Sequence, residues 1–562
     1  MTDSTRTWDA ETDFVVIGSG GAGLTGALVA AVEGLQTMVI EKTGLIGGTT
    51  SVSGGGFWIA DNHHMPEVDV PDSRDDALAY LRACVGDEAG DPGILEAWVD
   101  HGKEMVRYLE DQGGQWFRPW GTVGGTIDYR GDLPGAKHGG RTLDAGKVES
   151  APLGEWKDKL RIGPQSAWVM DKHDYYAGKM HALPPPKEGG PARRFFVNNV
   201  GTPEHLSSGT ALIAGLLRGC LERGVDVQIE CPAKELIVED GQVIGVEATR
   251  QGAPFRVRAR RGVLMSTGGY AHNEELKRLW MHRPLHQSCE IKDNQGDGHL
   301  MGMAIGAQTA NLGDAWWMPY LIGGEVEPGG ETYASLQVVG SREDRILPHT
   351  MIVNTRGKRF VNEALNYNDV VEGFGTKQGE PANVPAYFVW DSQAREKYTA
   401  IAAKHPPADE PQPAWFYRGD TLADLAAAIG VDPAGLDIEA GKMGRYAASG
   451  VDEDFGRGAG AWDRAWGDER QTPNPCLGSI EKGPFFAMEI QPGALATKGG
   501  LRVNEFAEVL SAGLGQRAIG GFYAAGNCSS ANAPHAYPGA GATIGVGMTF
   551  AYIAARRAAG TL

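Results

Sequence analysis

Three glycines near the N-terminus, Gly18, Gly20 and Gly23, have the G-x-G-x-x-G spacing that lets a backbone turn approach a phosphate. In this spacing the first glycine makes the tight turn, the second admits a pyrophosphate, and the third lets a helix pack closely on a strand. Glu41 lies further along, where a carboxylate can accept hydrogen bonds from ribose hydroxyl groups. These residues predict a dinucleotide-binding site.

The elements around the glycines must form a strand, a turn and a helix for this chemistry to work. Residues 13–17 are an apolar run typical of a strand buried on both faces, and residues 24–33 are rich in Ala and Leu, as in a helix. Residues 36–41 are predicted to form a second strand, which completes a βαβ unit with a right-handed crossover. Later segments repeat these elements: a helix at 210–223, strands at 225–230, 233–239, 243–248 and 263–269, and a strand from 521 before a last helix.

Composition and charge exclude several classes of protein. The 562 residues include 81 glycines without a G-X-Y period, and 42% of the residues are hydrophobic, so the chain is neither a collagen nor a disordered polyelectrolyte. The length predicts about two to four domains. The formal net charge of −19 disfavours phosphate backbones and anionic lipids, and we expect no nucleic-acid partner and no membrane partner.

Cysteine and histidine spacing predicts no metal site. The six cysteines include no CxxC pair, which indicates a reducing compartment rather than a disulfide framework. His63 and His64 are adjacent, but no third ligand follows at metal-binding spacing, so we expect two solvated loop histidines. Residues 536–555 are uncharged, but Pro538 and several glycines argue against a membrane span, and the N-terminus has no apolar signal segment. We expect a cytoplasmic protein.

A second glycine-rich segment, Gly47-Gly-Thr-Thr-Ser-Val-Ser-Gly-Gly-Gly56, can offer further backbone N–H groups, which a nicotinamide-binding domain does not need. With this segment the chain resembles the flavoproteins of the fumarate reductase and 3-oxosteroid dehydrogenase type. The resemblance continues in Ser266-Thr-Gly-Gly-Tyr-Ala-His-Asn273, Gly296-Asp-Gly298, Arg359-Phe-Val-Asn-Glu363, Thr497-Lys-Gly-Gly-Leu501, Gly526-Asn527 and Tyr537-Pro-Gly-Ala-Gly-Ala-Thr-Ile-Gly545. It implies an α/β fold, in which residues 1–295 and 496–562 form a Rossmann-like FAD-binding domain and residues 296–495 an inserted α+β catalytic domain.

The same resemblance implies FAD as the cofactor and indicates its contacts. Ala233 stands in the strand that usually meets the adenine, and the other candidates are glycines and small polar residues of turns and strand ends. The full set is Gly18, Gly20, Gly21, Gly23, Glu41, Lys42, Gly48, Thr49, Thr50, Ser53, Gly54, Gly55, Ala233, Thr267, Gly268, Asp297, Gly526, Asn527, Ala542 and Ile544.

The last motif distinguishes two kinds of chemistry. Fumarate reductases carry His-Gly-x-Asn-Arg there and use the His and Arg side chains to clamp two carboxylates. Here the motif is Tyr537-Pro-Gly-Ala-Gly541, which resembles the 3-oxosteroid 1-dehydrogenases. By that resemblance the Tyr537 hydroxyl and the Gly541 N–H hold a ketone oxygen. Two such donors stabilise the enolate that forms when an adjacent C–H is ionised, as in an oxyanion hole.

A base must then remove the α-proton, and the family uses a tyrosine assisted by a second tyrosine. Tyr129 matches the assisting residue. The base is expected after Ala315-Trp-Trp-Met-Pro319 and before Arg359, where both Tyr320 and Tyr333 are candidates. Placement favours Tyr333, with Tyr320 as the alternative. A hydrogen bond from the partner phenol helps to lower the pKa of a tyrosine, which is ordinarily about 10.

The sequence therefore predicts a flavin-dependent oxidoreductase that desaturates an apolar cyclic ketone between carbons 1 and 2, with a 3-oxosteroid as the expected substrate and an unidentified electron acceptor. Three other enzymes remain open: a desaturase of cyclohexanone-type ketones, a desaturase of steroid ring position 4, and a fumarate-reductase-like ene reductase. A flavin-binding partner protein without catalysis is the non-enzymatic alternative.

Overall fold

The computed structural model of the chain describes residues 7–86, 91–120, 127–163, 204–283, 285–323, 344–375, 383–402, 404–406, 411–513 and 515–562. Its strands are β1 (Ala10–Ile17), β2 (Thr37–Ile40), β3 (Phe57–Trp58), β4 (Arg118–Pro119), β5 (Thr142–Asp144), β6 (Val148–Glu149), β7 (His205–Leu206), β8 (Asp226–Gln228), β9 (Ala233–Glu239), β10 (Gln242–Arg250), β11 (Ala253–Met265), β12 (Gln287–Ser288), β13 (Thr309–Ala310), β14 (Ala315–Leu321), β15 (Thr350–Asn354), β16 (Ala386–Asp391), β17 (Tyr417–Gly419), β18 (Phe485–Thr497), β19 (Gly500–Leu501), β20 (Glu508–Leu510) and β21 (Ala518–Ala524).

The α-helices are α1 (Gly21–Val32), α2 (Gly48–Val52), α3 (Arg74–Val85), α4 (Pro92–Asp111), α5 (Ser208–Glu222), α6 (Glu274–Trp280), α7 (Asp297–Ala304), α8 (Tyr367–Glu372), α9 (Ser392–Lys397), α10 (Thr399–Ala402), α11 (Leu422–Ile429), α12 (Pro433–Ser449), α13 (Ala461–Trp466) and α14 (Ala542–Ala559). Short 3₁₀ helices span Met65–Val68, Ala151–Lys159, Asp344–Ile346 and Gly526–Cys528.

The first sheet has eight strands and carries the predicted βαβ unit. Its order is β20-β21-β10-β11-β1-β2-β8, with β9 paired to β10. Strand β1 pairs in parallel with β2 and with β11, so that Val15 lies opposite Met38 on one side and Val263 on the other. Val15 is fully buried, as expected of a parallel strand that helices cover. The predicted strand–helix–strand unit is confirmed.

The second sheet has six strands in the order β12-β18-β16-β15, with β14 and β17 also paired to β18. Its two faces are covered by separate apolar clusters, one containing Val389 and one containing Trp390. Neighbouring residues of β16 thus point to opposite faces, as in a strand with two buried faces. Strand β12 precedes the predicted domain boundary at residue 295, and the division into domains stays a prediction.

The largest apolar core joins elements of both sheets. It contains Val16 of β1, Trp316 of β14, Tyr367 of α8 and Trp462 of α13. The α/β architecture with an added α+β unit is confirmed, and this shared core includes residues beside the candidate active site. Within the described ranges, no helix has both the length and the apolar composition needed to cross a membrane.

Candidate active site

A cleft lies along the carboxyl ends of β1 and β11 and the start of α1. Fifteen predicted cofactor residues line it: Gly18, Gly20, Gly21, Glu41, Lys42, Gly48, Thr49, Thr50, Ala233, Thr267, Gly268, Asp297, Gly526, Asn527 and Ile544. These residues come from distant parts of the chain, and the parallel strands bring them to one edge of the sheet. Ligands of α/β folds bind at such an edge.

Five predicted residues, all in the described part of the chain, stand outside this lining: Gly23, Ser53, Gly54, Gly55 and Ala542. At two of these positions, Gly23 and Gly55, neighbouring backbone atoms lie so close that a side chain would not fit. A Cβ on Gly23 would come within 2.1 Å of the Gly18 carbonyl oxygen, and one on Gly55 within 2.3 Å of the Ser208 carbonyl carbon. Gly23 thus has the helix-packing role that its place in the motif predicts.

Other lining residues were not among the predicted cofactor contacts. They are Ile17, Ser19, Ala22, Ile40, Ser266, Ile291, Asp293, Asn294, Met301, Thr543 and Gly547. Ser19, Ser266 and Thr543 lie inside the quoted motifs, next to predicted contacts, so the sequence contained a signal for them. Asn294 had no such signal, since the chain returns to the cleft there by a tertiary contact, and its Nδ2 donates to Thr49 Oγ1 at 3.2 Å.

The Glu41 carboxylate holds the glycine turn against the end of β2. Its Oε2 accepts hydrogen bonds from Ser19 Oγ at 2.6 Å and from the Ser19 N–H at 3.1 Å, while its Oε1 accepts from the Thr43 N–H at 2.9 Å. The carboxylate therefore organises the turn and also lines the cleft. Lys42 forms an ion pair of 2.8 Å with Asp297, but both side chains are more than one-third exposed, so this pair contributes little stability.

The backbone geometry of the cleft suits a dinucleotide. A Cβ on Gly20 would have Thr50 Oγ1, 3.9 Å away, as its nearest neighbour, so any larger side chain there would occupy the cleft. Gly526 is similarly open on the opposite wall, where the nearest atom to a Cβ would be Ala22 Cβ at 3.4 Å. Gly20 also caps α1, whose N-terminal N–H groups favour a negatively charged pyrophosphate. The residues present therefore fit FAD.

Three buried tyrosines form a cluster beside this cleft. The ring centroids of Tyr129, Tyr367 and Tyr537 lie 4.9, 5.1 and 5.3 Å apart in the three pairwise combinations. The Tyr129 hydroxyl donates a short hydrogen bond to the Tyr367 hydroxyl. Trp316 packs on Tyr537 at 4.8 Å and Trp462 packs on Tyr129 at 4.7 Å. The cluster places three phenol groups among buried aromatic side chains.

Two hydrogen bonds connect the cluster to the cofactor cleft. The Thr543 hydroxyl donates to the Tyr537 hydroxyl at 3.2 Å, and Thr543 lines the cleft. Trp316 Nε1 donates to Asn527 Oδ1 at 3.1 Å, and Asn527 also lines the cleft. Tyr537 and Trp316 therefore contact residues that line the cofactor cleft.

Tyr367 was not among the residues predicted from the sequence. Tyr367 begins α8, four residues after the Arg359-Phe-Val-Asn-Glu363 motif. Asn366 caps this helix by accepting hydrogen bonds from the N–H groups of Asn368 and Asp369 at 3.1 and 3.0 Å. Its closeness to that motif was the available signal. Its pairing with Tyr129 results from a contact between two distant segments, which no local pattern contains.

Of the two tyrosines predicted from the sequence as candidates for the base, only Tyr320 lies among the residues that the structure describes. Tyr333 lies outside them. Tyr320 lies on β14, and its hydroxyl donates to the Ala494 carbonyl of β18 at 2.6 Å and lies 3.0 Å from Cys289 Sγ. Because its hydroxyl points to the backbone of a neighbouring strand, the structure does not bring Tyr320 together with Tyr129 as it does Tyr367.

The turn from Tyr537 to Gly541 is held by its carbonyl groups. The Pro538 carbonyl accepts from the Tyr80 hydroxyl at 2.6 Å and from the Tyr129 N–H at 2.9 Å. Gly541 caps α14 with a φ of +89°, and a Cβ there would stand 2.2 Å from the Gly56 carbonyl oxygen. Only glycine fits, and the turn presents Tyr537 from a rigid support.

Lys498, from the Thr497-Lys-Gly-Gly-Leu501 motif, places a buried cation beside this turn. Its Nζ donates to the Ala536 carbonyl at 2.5 Å and lies 3.4 Å from Asp314 Oδ2. It also stands 4.4 Å from the ring centroid of Trp316, within range of a cation–π interaction. Burial lowers the pKa of the Lys498 ammonium group.

A bidentate ion pair joins the segments that carry Tyr129 and Tyr367. Arg130 Nε and Nη2 donate to the two carboxylate oxygens of Asp369 at 2.9 and 3.0 Å. Asn366 Nδ2 donates to the same carboxylate at 2.9 Å and to the Tyr129 carbonyl at 3.3 Å. We call Arg130, Asn366 and Asp369 the tyrosine clamp, because they fix the two segments against each other.

Comparison with known proteins agrees with this geometry. The family described as FAD binding domain matches residues 13–544. The chain is 35% identical to the 4-oxocyclohexanecarboxylate 2-dehydrogenase of Sinomonas cyclohexanicum, covering 98% of this chain and 93% of that protein. It is also 35% identical to the 3-oxosteroid 1-dehydrogenase of Mycolicibacterium smegmatis, covering 98% of each.

A solved structure is similar as well. The 3-ketosteroid Δ1-dehydrogenase of Sterolibacterium denitrificans, crystallised with 1,4-androstadiene-3,17-dione, superimposes with a TM-score of 0.85 at 31% identity. The match covers 98% of this chain and 100% of that one. The predicted cofactor and the predicted enzyme class are both confirmed. The chain belongs to the 3-oxosteroid 1-dehydrogenase family of FAD-dependent oxidoreductases.

Proposed function

We propose that this protein desaturates a cyclic ketone between the carbons α and β to its carbonyl group, with a 3-oxosteroid as the substrate. The observation that carries the proposal is the buried cluster of Tyr129, Tyr367 and Tyr537 beside the cofactor cleft. An apolar pocket with a few convergent hydroxyl groups suits a flat apolar ketone. The relatives that act on such ketones support the same substrate class.

In the proposed mechanism, Tyr537 and Gly541 hold the ketone oxygen. The Tyr537 hydroxyl and the Gly541 N–H are hydrogen-bond donors that would stabilise the negative charge developing on that oxygen. Gly541 is the N-cap of α14, and the N-terminus of a helix favours negative charge nearby. The α-hydrogen becomes more acidic as the carbonyl is polarised.

Tyr367 is our candidate for the base, in place of Tyr333 or Tyr320. Its hydroxyl is hydrogen-bonded to that of Tyr129, so Tyr129 would stabilise a Tyr367 phenolate by donating to its oxygen. The α-proton goes to Tyr367 while the β-hydrogen leaves with its electron pair, and the C–C double bond forms between them. When bound, FAD supplies the hydride acceptor.

A monocyclic keto acid is the second candidate substrate. The observation that favours it is the 35% identity to the 4-oxocyclohexanecarboxylate dehydrogenase, which equals the identity to a 3-oxosteroid dehydrogenase. Both substrates present a ring ketone to the same hydroxyl groups, so the tyrosine cluster alone does not distinguish them.

The deciding experiment is anaerobic reduction of the purified holoprotein, followed at the visible flavin band. Two substrates are compared: a 3-oxosteroid saturated at carbons 1 and 2, and 4-oxocyclohexanecarboxylate. Rapid bleaching with the steroid and formation of the 1-ene product is the expected result. Bleaching only with 4-oxocyclohexanecarboxylate would support the proposed mechanism with the monocyclic keto acid as the substrate. If the flavin stayed oxidised with both compounds, the proposal of ketone desaturation would be wrong.

The cysteines fit the proposed cytoplasmic location. All six are free thiols, and five of them are buried. Free thiols persist in reducing compartments.

A further inference from the structure

A histidine–carboxylate cluster lies between the chain after β3 and the end of α4. His63 Nε2 is 2.7 Å from Glu110 Oε2, and His64 Nε2 is 2.9 Å from Glu110 Oε1. The two imidazole rings face each other at 4.2 Å between centroids. One ligand atom from each of these three residues can be chosen so that all lie within 4.8 Å of one another. Sequence spacing predicted no third ligand for the two histidines, and the fold supplies one from 46 residues further along the chain.

The outer contacts of this cluster are those of a metal site. A histidine that binds a metal through one ring nitrogen commonly donates the other N–H to a carboxylate. His64 has this arrangement, because its Nδ1 is 2.6 Å from Glu67 Oε1. With neutral imidazoles, Glu67 and Glu110 bring two negative charges to the cluster. A divalent cation would offset both of them.

We propose that His63, His64 and Glu110 bind a divalent transition-metal ion, with Zn²⁺ as the preferred ion. Two imidazole nitrogens and one carboxylate are a recognised Zn²⁺ donor set, and water takes the fourth tetrahedral position. Tetrahedral ligands with bonds of about 2.0 Å stand about 3.3 Å apart. The two histidine nitrogens contact different oxygens of the Glu110 carboxylate, at 2.7 and 2.9 Å, and one ligand atom of each residue lies within 4.8 Å of the others. Small side-chain rotations would therefore bring the three ligands to this spacing.

The ion has an access path and a structural role. His63 lines a surface cleft with Met65 and Lys103, which gives solvent access to the ligands. Next to the histidines, Asn62 Nδ2 donates to the Gly140 carbonyl at 3.0 Å. Gly140 precedes Arg141, whose buried guanidinium pairs with Asp128 at 2.8 Å. The metal would therefore fasten α4 to the segment that supports Tyr129, away from the reacting atoms.

The test is titration of metal-stripped holoprotein with Zn²⁺ by calorimetry, with the thermal unfolding midpoint as a second readout. We expect one equivalent to bind and to raise the midpoint. His63→Ala and Glu110→Gln should abolish saturable binding. Glu67→Gln should weaken the affinity about 10- to 100-fold, as loss of an outer carboxylate typically does. Flavin content, measured by visible absorbance, shows that each variant is folded.

His101→Ala is the matched control. His101 lies on α4 and pairs with Glu104 at 2.8 Å, but it belongs to no three-residue cluster among the described residues. This variant should bind Zn²⁺ like the wild type. Absence of saturable binding to the wild-type protein, or unchanged binding in His63→Ala, would overturn the proposal. If His63→Ala loses its flavin and is therefore misfolded, Glu67→Gln becomes the deciding variant. An unchanged Zn²⁺ affinity in a folded Glu67→Gln protein would then contradict the proposed metal site.

Discussion

The hydroxyl groups of Tyr129, Tyr367 and Tyr537 share one buried cluster but differ in their hydrogen bonds. Tyr129 and Tyr367 are hydrogen-bonded to each other, whereas Tyr537 accepts a hydrogen bond from Thr543. In the proposed mechanism, the paired phenols are the assisting donor and the base, and Tyr537 binds the ketone. The role of each tyrosine follows from its neighbours rather than from its own side chain.

At the residue scale, Tyr367→Phe should lower kcat about 10²- to 10⁴-fold, because it removes the proposed base. The flavin should remain bound, since Tyr367 does not line the cofactor cleft among the described residues. Steady-state kinetics with whichever ketone reduces the flavin, together with the visible flavin spectrum, would measure both effects.

Tyr320→Phe is the comparison for that variant. The Tyr320 hydroxyl donates to the Ala494 carbonyl, so its loss should cost about 1 kcal/mol of stability and leave kcat nearly unchanged. The reverse result, with Tyr367→Phe active and Tyr320→Phe inactive, would return the base to Tyr320.

At the scale of elements, the tyrosine clamp joins a loop and a helix that are distant in the sequence. Arg130 follows Tyr129 in the loop, while Asn366 and Asp369 flank Tyr367 at the start of α8. A bidentate Arg–carboxylate pair fixes orientation as well as distance. The clamp is therefore suited to hold the two hydroxyl groups at a fixed distance from each other.

We expect Arg130→Lys to lower kcat about 10- to 100-fold, because lysine cannot make the bidentate contact and small misplacements of reacting groups are costly. Asp369→Asn should act in the same direction. Steady-state kinetics, together with the visible flavin spectrum, would separate this loss of rate from a loss of cofactor.

A matched surface pair provides the control for the clamp. Arg74 makes the same bidentate contact with Asp100, at 2.7 and 2.9 Å, on the exposed side of α3 and α4. Arg74→Lys should leave kcat unchanged. An unchanged kcat in Arg130→Lys, with only lower stability, would show that the clamp is a structural ion pair without an effect on the reaction.

At the scale of the whole molecule, Glu290 connects the two sheets through a buried carboxyl group. It accepts the Ala271 N–H, beyond the end of β11, and the Thr497 N–H, at the end of β18, both at 3.1 Å. Burial raises its pKa from an ordinary value of 4.5 to about 7. The folded protein therefore holds this proton at a pH where the unfolded chain has released it.

This raised pKa predicts a loss of stability with increasing pH. The stabilising contribution of the protonated group is complete below about pH 4.5 and is lost as the pH rises through about 7, because the folded state then holds a buried charge. A shift of this size is worth about 3 kcal/mol. Glu290→Gln should therefore gain stability relative to the wild type between about pH 5 and pH 8.

Thermal unfolding at the two pH values would measure this difference. Glu235→Gln, on the exposed part of β9, is the control and should show the same pH dependence as the wild type. If the difference between Glu290→Gln and the wild type stayed constant with pH, the buried carboxyl would not be the titrating group.

The sequence by itself determined the FAD-binding part of this protein. The glycine turn, the buried strand before it and the helix after it are contiguous, and Gly18, Gly20 and Glu41 act through backbone geometry that neighbouring residues define. Family motifs spread along the chain added Tyr129 and Tyr537. Such motifs can be recognised without knowledge of the fold, because each one is complete within a short segment of the chain.

Only the tertiary structure decided which side chains converge. Tyr367 meets Tyr129 across 238 positions of sequence, and Glu110 completes the cluster of His63 and His64 from the far end of a helix. The position of each residue depends on how loops and helices pack, and a local pattern carries no information on that packing. For this reason the cofactor could be predicted from the sequence. The proposed base and the proposed metal site depend on contacts between distant segments, which only the tertiary structure shows.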